Sequence, residues 1–413
     1  MSDRKNQKEH ETKFVSYENL DKIGETAVYY GFTPTKSPNV TKADVEAAKD
    51  ILDGDDISDE TEKGRLPMHA EEKIALMRMY QEQEMINLPQ PVMLYFKDPC
   101  RGSIKKGGEY HRYADMEILG SSGSIAEAML IQAALAMLRE EDYRQTVVEI
   151  NSVGDRDSLT RFVRELTAYY RKHINDMSPE SRQLLKQDPI DLLACRDESV
   201  HELNQKAPKS LDFLSETSRR HLEEVLEYLE ALAIPYSLNN SLIGNKKYCT
   251  ETIFAITNTD PEVLKGDQKI LALGVRYNGL AKKLGLKRDI QGVGISLLVK
   301  GSKSELRKSV MKVKRPIASF VQLGIESKLA SLGVVEQLRQ IKVPLYLSLA
   351  KDRLGAQVSS IEKYHTPYVI VMGKKEAVEK TVIVRKNDTH AQEIVPLTDL
   401  AEHMKKIEAD YWR

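Results

Sequence analysis

An α+β core, interrupted by a helical insertion and followed by a C-terminal α/β domain, is the fold class that this sequence predicts. Three observations predict it. Extended stretches recur at 93–96, 110–119, 147–150 and 251–299, which suggests one largely antiparallel sheet assembled from distant segments. Residues 155–233 hold long amphipathic patterns with almost no strand signal. Beyond residue 316, strand and helix patterns alternate with ordinary short connections.

The elements follow in order. Residues 1–13 are polar and read as a mobile tail. Residues 43–63 carry nine Asp and Glu, the composition of a solvated, partly disordered loop. Ser124-Ile-Ala-Glu127 reads as a capping box, and Ile125, Met129, Ala133, Ala136 and Met137 behind it repeat at helical spacing with almost no polar face. Leu159, Phe162, Val163, Leu166 and Tyr170 form one helical stripe, and Leu222, Val225, Leu226, Leu229 and Ala233 another, ended by Pro235. Strands return at Glu251–Ile256, Lys269–Leu273 and Gly292–Val299. The stretch Lys300–Arg315 holds seven basic residues against one Glu and reads as an exposed helix or linker, or as a stripe that tracks a phosphate backbone. The last hundred residues give strands at Ala318–Leu323, Val343–Ala350 and Pro367–Met372, helices at Glu326–Gln340 and Leu354–Tyr364, and a hairpin around Asn387-Asp388. Thr398 is expected to cap a final helix. The domains predicted are therefore a tail (1–13), a core (14–154 and 234–310), an insertion (155–233) and a C-terminal domain (311–413).

Composition excludes several classes. Lys and Arg number 61 against 62 Asp and Glu, a net charge of −1, so binding of nucleic acid by bulk charge alone is excluded while local basic patches are not. Three distant cysteines exclude a disulfide framework and fit a reducing compartment. No apolar run approaches the ~18 residues of a membrane span, and the expected location is cytoplasmic. The nine histidines sit singly, so no metal site is expected from local spacing. The Gly-rich stretch Gly102–Gly108 misses the phosphate-loop pattern, and neither a dinucleotide fingerprint nor a nucleophile elbow is found.

Several segments together carry a resemblance. KDRLGAQVSSIEKYHTPYVIVMG and KTVIVRKNDTHAQEIVPLTDLAEHM are similar to the anticodon-binding domain shared by histidyl-, glycyl-, threonyl- and prolyl-tRNA synthetases. Upstream, Ala27–Thr35, Tyr110–Gly120, Ile150–Asp155, Tyr248–Phe254, Gly274–Leu280 and Gly292–Gly294 resemble, in order, the motifs of the class II histidyl-tRNA synthetase core. The resemblance covers about residues 25–407. It implies a class II antiparallel sheet with helices, a helical insertion and an anticodon-binding-type domain. It also implies a homodimer formed through the first motif.

The resemblance also implies an activity: ATP and histidine give histidyl-adenylate, and histidine then moves to its tRNA. ATP and magnesium would be the cofactors. Glu117, Tyr248, Cys249, Arg276 and Tyr277 match the histidine pocket. Lys97 matches the α-phosphate residue, and Arg101 or Arg112 are placed to serve the phosphates if the register slips. Lys105 and Lys106 match the loop that meets the tRNA acceptor end, and Lys351, Arg353 and Lys363 the anticodon surface; solubilising charge is the other reading of these five.

The departures cluster on the chemistry. The Arg that ends the third motif falls at Gly301, the second motif's Arg becomes Lys97, and the Arg opening the histidine signature becomes Gly244. Lysine keeps a charge but loses the bidentate fork, and glycine supplies neither. Two readings follow: a synthetase-like protein that binds tRNA or histidine with little or no ligase activity, with no cofactor, or an active histidine–tRNA ligase with unusual motifs. The missing forks favour the first.

Overall fold

The computed structural model describes residues 13–18, 20–51, 70–97, 104–106, 109–195, 197–245, 247–260, 270–301, 310–347 and 354–413. Along the chain these form β1 (Phe14–Glu18), α1 (Lys22–Tyr29), β2 (Thr33–Thr35), α2 (Lys42–Ile51), α3 (Ala70–Glu82), β3 (Val92–Lys97), β4 (Ile104–Lys106), β5 (Glu109–Leu119), α4 (Ile125–Glu140) and β6 (Thr146–Gly154). The helical block supplies α5 (Arg156–Lys172), α6 (Pro179–Gln187), α7 (Glu198–Lys206) and α8 (Glu216–Ala231). Then come β7 (Tyr236–Leu238), β8 (Thr250–Asn258), β9 (Ile270–Arg276), α9 (Leu280–Lys283), β10 (Gly292–Gly301) and β11 (Val310–Lys314). The C-terminal part has β12 (Ala318–Gln322), α10 (Ile325–Gln340), β13 (Leu345–Leu347), α11 (Leu354–Ile361), β14 (Tyr368–Met372), α12 (Lys374–Glu379), β15 (Thr381–Lys386), β16 (Gln392–Pro396) and α13 (Leu400–Tyr411).

The chain divides into two compact units: 1–39, 78–144 and 297–413 in one, 40–77 and 145–296 in the other. In the first unit β2 runs parallel to β3, β3 antiparallel to β5, and β4 folds back on β5. Every residue of α4 from Ile125 to Leu138 is buried, as its all-round apolar pattern requires. The C-terminal sheet has the order β13-β12-β14-β15-β16, parallel across the first three strands and antiparallel across the last two. Buried Phe320, Val321, Ile370 and Met372 supply its core. Helix α10 meets α1 through one cluster: the Tyr30 hydroxyl donates to Glu336, and Arg339 clamps the same carboxylate with two bonds of 2.8 Å.

In the second unit β9, β8 and β6 form an antiparallel ladder, and β7 adds in parallel to β6. The helical block is started element by element by short polar side chains. Asp155, Ser178, Asp197 and Ser215 each accept a backbone N–H of the first turn of α5, α6, α7 and α8, at 2.8–3.2 Å. Each such cap is worth about 0.5–2 kcal/mol. They interlock in two pairs, because Ser215 also donates to Asp155 at 2.7 Å and Ser178 to Asp197. Beneath them Phe162, Leu166, Tyr170, Leu192 and Val200 form one apolar cluster.

Four local expectations are corrected. The acidic stretch begins as helix α2, and Asp44 is buried because it accepts the Thr41 N–H at 2.7 Å; residues 52–63 lie outside the described residues. Ser124 stands at the start of α4 in a helical conformation and makes no capping bond, so the box does not form. The cap position of α13 is Asp399, and Thr398 donates to its carboxylate at 2.9 Å. In the basic junction, Val310–Lys314 is a strand paired antiparallel with β1, from Phe14 opposite Lys314 to Glu18 opposite Val310. Residues 1–12 of the expected tail and 302–309 of the junction lie outside the described residues.

Candidate functional site

Two faces of β5 carry the first group of candidates. Glu117 is 2% exposed and registered opposite Leu94 of β3. Successive strand residues alternate faces. Tyr113, Asp115 and Glu117 therefore share one face of β5, and Arg112, Ala114 and Met116 share the other. Lys97 is registered opposite Ala114, which puts it on Arg112's face. Both cations there meet the Asp21 carboxylate. Arg112 donates to it through Nη2, and Lys97 Nζ lies 3.4 Å away. Asp21 is also the cap of α1, accepting the Gly24 N–H at 2.8 Å.

Lys97 and Arg112 were expected to serve ATP phosphates. The structure brings them together, but on a carboxylate and on the face opposite Glu117. So placed, they do not fit a triphosphate beside Glu117. Asp21 was missed in the sequence, because only the fold brings it to the two cations.

The second unit holds Tyr248, Cys249, Arg276 and Tyr277, all buried. A turn organised by Asn245 sets the first two, because its carbonyl accepts the Cys249 N–H at 2.9 Å and its side chain the Lys247 N–H at 2.8 Å. Gly244 precedes this turn and is pressed against the cysteine. A Cβ at 244 would lie 2.6 Å from Cys249 Sγ and 3.3 Å from Ile253 Cδ1. The position where the resembled family carries an arginine is therefore closed even to alanine unless its neighbours move.

Arg276 is fully buried opposite Thr250, where the β8–β9 register shifts. Next to it the Tyr277 N–H donates to Gly292 O at 2.9 Å, and a Cβ at Gly292 would overlap the Tyr277 ring. Lys73 Nζ stands 5.3 Å from the centre of that ring, a cation–π contact. Lys73 was also missed. Its sequence signal was weak, because Lys73 follows Glu71 and Glu72 in the first turn of α3 and so reads as an ordinary helix charge. Nearby, burial pushes the Glu251 carboxyl up, against the pull of a Ser218 hydroxyl donating at 3.1 Å.

Lys105 and Lys106 lie in β4, paired with Tyr110 and Glu109 in a hairpin rather than in an irregular loop. Lys363 falls in the short 3-10 turn Glu362–Tyr364 after α11. Arg101, Lys351 and Arg353 lie outside the described residues. No helix of the described residues is long and apolar enough to cross a membrane.

Comparison with known proteins bears on these placements. The anticodon binding domain family matches residues 321–407, which span α10 to α13 and most of the five-stranded sheet. The histidine–tRNA ligase of Symbiobacterium thermophilum is 26% identical over 404 residues, covering 93% of this chain and 92% of that protein. The histidine–tRNA ligase of Listeria monocytogenes serotype 4b is 27% identical over 346 residues, covering 82% and 81%. A crystal structure of apo histidyl-tRNA synthetase from S. aureus superposes with a TM-score of 0.49 at 20% identity, covering 92% of this chain and 93% of that one. The antiparallel-rich sheet, its helices and the C-terminal anticodon binding domain define a class II aminoacyl-tRNA-synthetase-like protein. Within that class the chain is similar, along most of its length, to histidine–tRNA ligases.

Proposed function

We propose that this protein is a histidyl-tRNA synthetase-like binder of tRNA with little or no ligase activity. The observation that carries the reading is the packing at Gly244. Where the family's signature opens with an arginine, this chain has a glycine whose missing Cβ makes room for Cys249 Sγ. Lys97 and Arg112 support it, because both are engaged by Asp21. RNA is the natural partner because the C-terminal domain is of the anticodon binding family. Glu117 remains the candidate carboxylate for histidine, and the protein is proposed to be a cytoplasmic homodimer.

A second reading is an active histidine–tRNA ligase using ATP and magnesium. What favours it is that relatives named histidine–tRNA ligase align along nearly the whole chain. Histidine-dependent ATP–pyrophosphate exchange separates the two. The proposal expects no exchange above background together with retention of tRNA; robust exchange overturns it.

A further inference from the structure

The C-terminal domain contains a cavity of about 310 Å³ that, apart from Arg315 at the end of the basic junction, none of the expected sites used. Arg315, Tyr346, Tyr364, His365, Tyr411 and Trp412 line it, together with two prolines and Ile317. Two features of this lining point to one kind of ligand. Tyr346 and Tyr364 are stacked face to face, centroids 3.8 Å apart and planes 8° from parallel, so they present a rigid flat wall. Trp412 stands edge-on to Tyr411 at 4.9 Å, and its indole N–H is buried with no hydrogen-bond partner among the described residues. A flat aromatic wall, a donor without a partner, a guanidinium and an imidazole in one cavity are the parts that hold a heteroaromatic ring carrying an anionic group.

We propose that this cavity is a nucleotide pocket, with the base against the Tyr346–Tyr364 wall and its phosphate toward Arg315 and His365. The volume equals about ten water molecules at ~30 Å³ each, room for one base of about ten heavy atoms and part of its sugar. Burial pushes the Tyr346 and Tyr364 hydroxyls up from their ordinary value, so at neutral pH both are protonated donors and add no negative charge to repel a phosphate. The base can come from a single-stranded stretch of RNA or from a free mononucleotide. The first source rests on the RNA-binding reading above, and the second does not.

Trp412 is the chain's single tryptophan, so its fluorescence reports on this cavity alone. The full-length protein is titrated separately with adenosine 5′-monophosphate and with an RNA stem-loop bearing a single-stranded loop. RNA retention on a filter is measured in parallel. Saturable quenching by either probe is expected, weakened ~10-fold by Arg315→Gln and by the independent variant His365→Gln. Unchanged melting of each variant shows that it folds. Quenching by RNA alone assigns the base to a chain, and quenching by the mononucleotide alone assigns it to a free nucleotide. Quenching that neither variant weakens overturns the pocket. No quenching while RNA is retained overturns the pocket and leaves the RNA-binding reading standing. No quenching and no retention removes both.

Discussion

At the scale of single residues, Gly244 and Asp21 decide how the candidate site is read. Gly244→Ala introduces a Cβ at 2.6 Å from Cys249 Sγ and should cost ~1–3 kcal/mol in urea unfolding. Cys249→Ala should recover part of that loss in the double variant, since it removes the colliding sulfur; a purely additive double would mean that the two residues do not touch. Asp21→Ala removes a cap and leaves Arg112, 4% exposed, without this carboxylate. The loss expected is ~3–5 kcal/mol, larger than the ~0.5–2 kcal/mol of a cap alone. Asp21→Asn, which can still cap, should lie between. Glu117→Ala should weaken histidine binding by ~1.5–3 kcal/mol if this carboxylate takes the ligand, and calorimetry reads it directly. The sequence showed that residue 244 lacked an arginine. It could not show that the space had been filled, because that depends on a sulfur five residues on and on the turn at Asn245. Nor could spacing along β5 alone assign Arg112 to the face away from Glu117 until the strand's register with β3 was known.

At the scale of elements, the joint between α1 and α10 is electrostatic and should respond to acid. Burial pushes the Glu336 carboxyl up, but bonds from Arg339 and from the Tyr30 hydroxyl outweigh that and hold it below its ordinary value. A carboxyl lowered on folding contributes stability that is present above its unfolded value, ~4.3 for Glu, and is lost as pH falls through its folded value. Glu336→Gln should therefore flatten the acid limb of the stability curve below about pH 4–5 and cost ~1–3 kcal/mol at neutral pH. An unaltered acid limb would show that other carboxyls govern it. Elements with strong local patterns were legible before the structure: the stripe at Phe162, Leu166 and Tyr170, the buried run at 125–138, and the alternation of strand and helix after 316. Those set by long-range pairing were not. Val310–Lys314 has the composition of a linker and becomes a strand only because β1 lies beside it. The helix at Lys42–Ile51 was not legible because the charge of the run hid the role of Asp44, which accepts the Thr41 N–H at the start of the helix.

At the scale of the molecule, fold and chemistry separate. The relatives match nearly the full chain, so the architecture was readable from many weak motifs in order, while two motif arginines are replaced by Gly244 and Gly301 and the described candidates Lys97 and Arg112 meet Asp21. If the protein acts by binding alone, retention of tRNA should fall linearly on a plot of log affinity against log salt. The slope counts the phosphates neutralised, at about 0.9 per contact on a duplex. Pyrophosphate exchange should stay at background under the same conditions.

The β1–β11 ribbon has a consequence for how the chain is made. Phe14 and its partner Lys314 are 300 residues apart. At a synthesis rate of ~5–20 residues per second, β1 leaves the ribosome roughly 15–60 s before its partner exists. During that interval it is an unpaired strand whose edge can recruit another chain. Strand β1 is thus translated long before the strand that pairs with it.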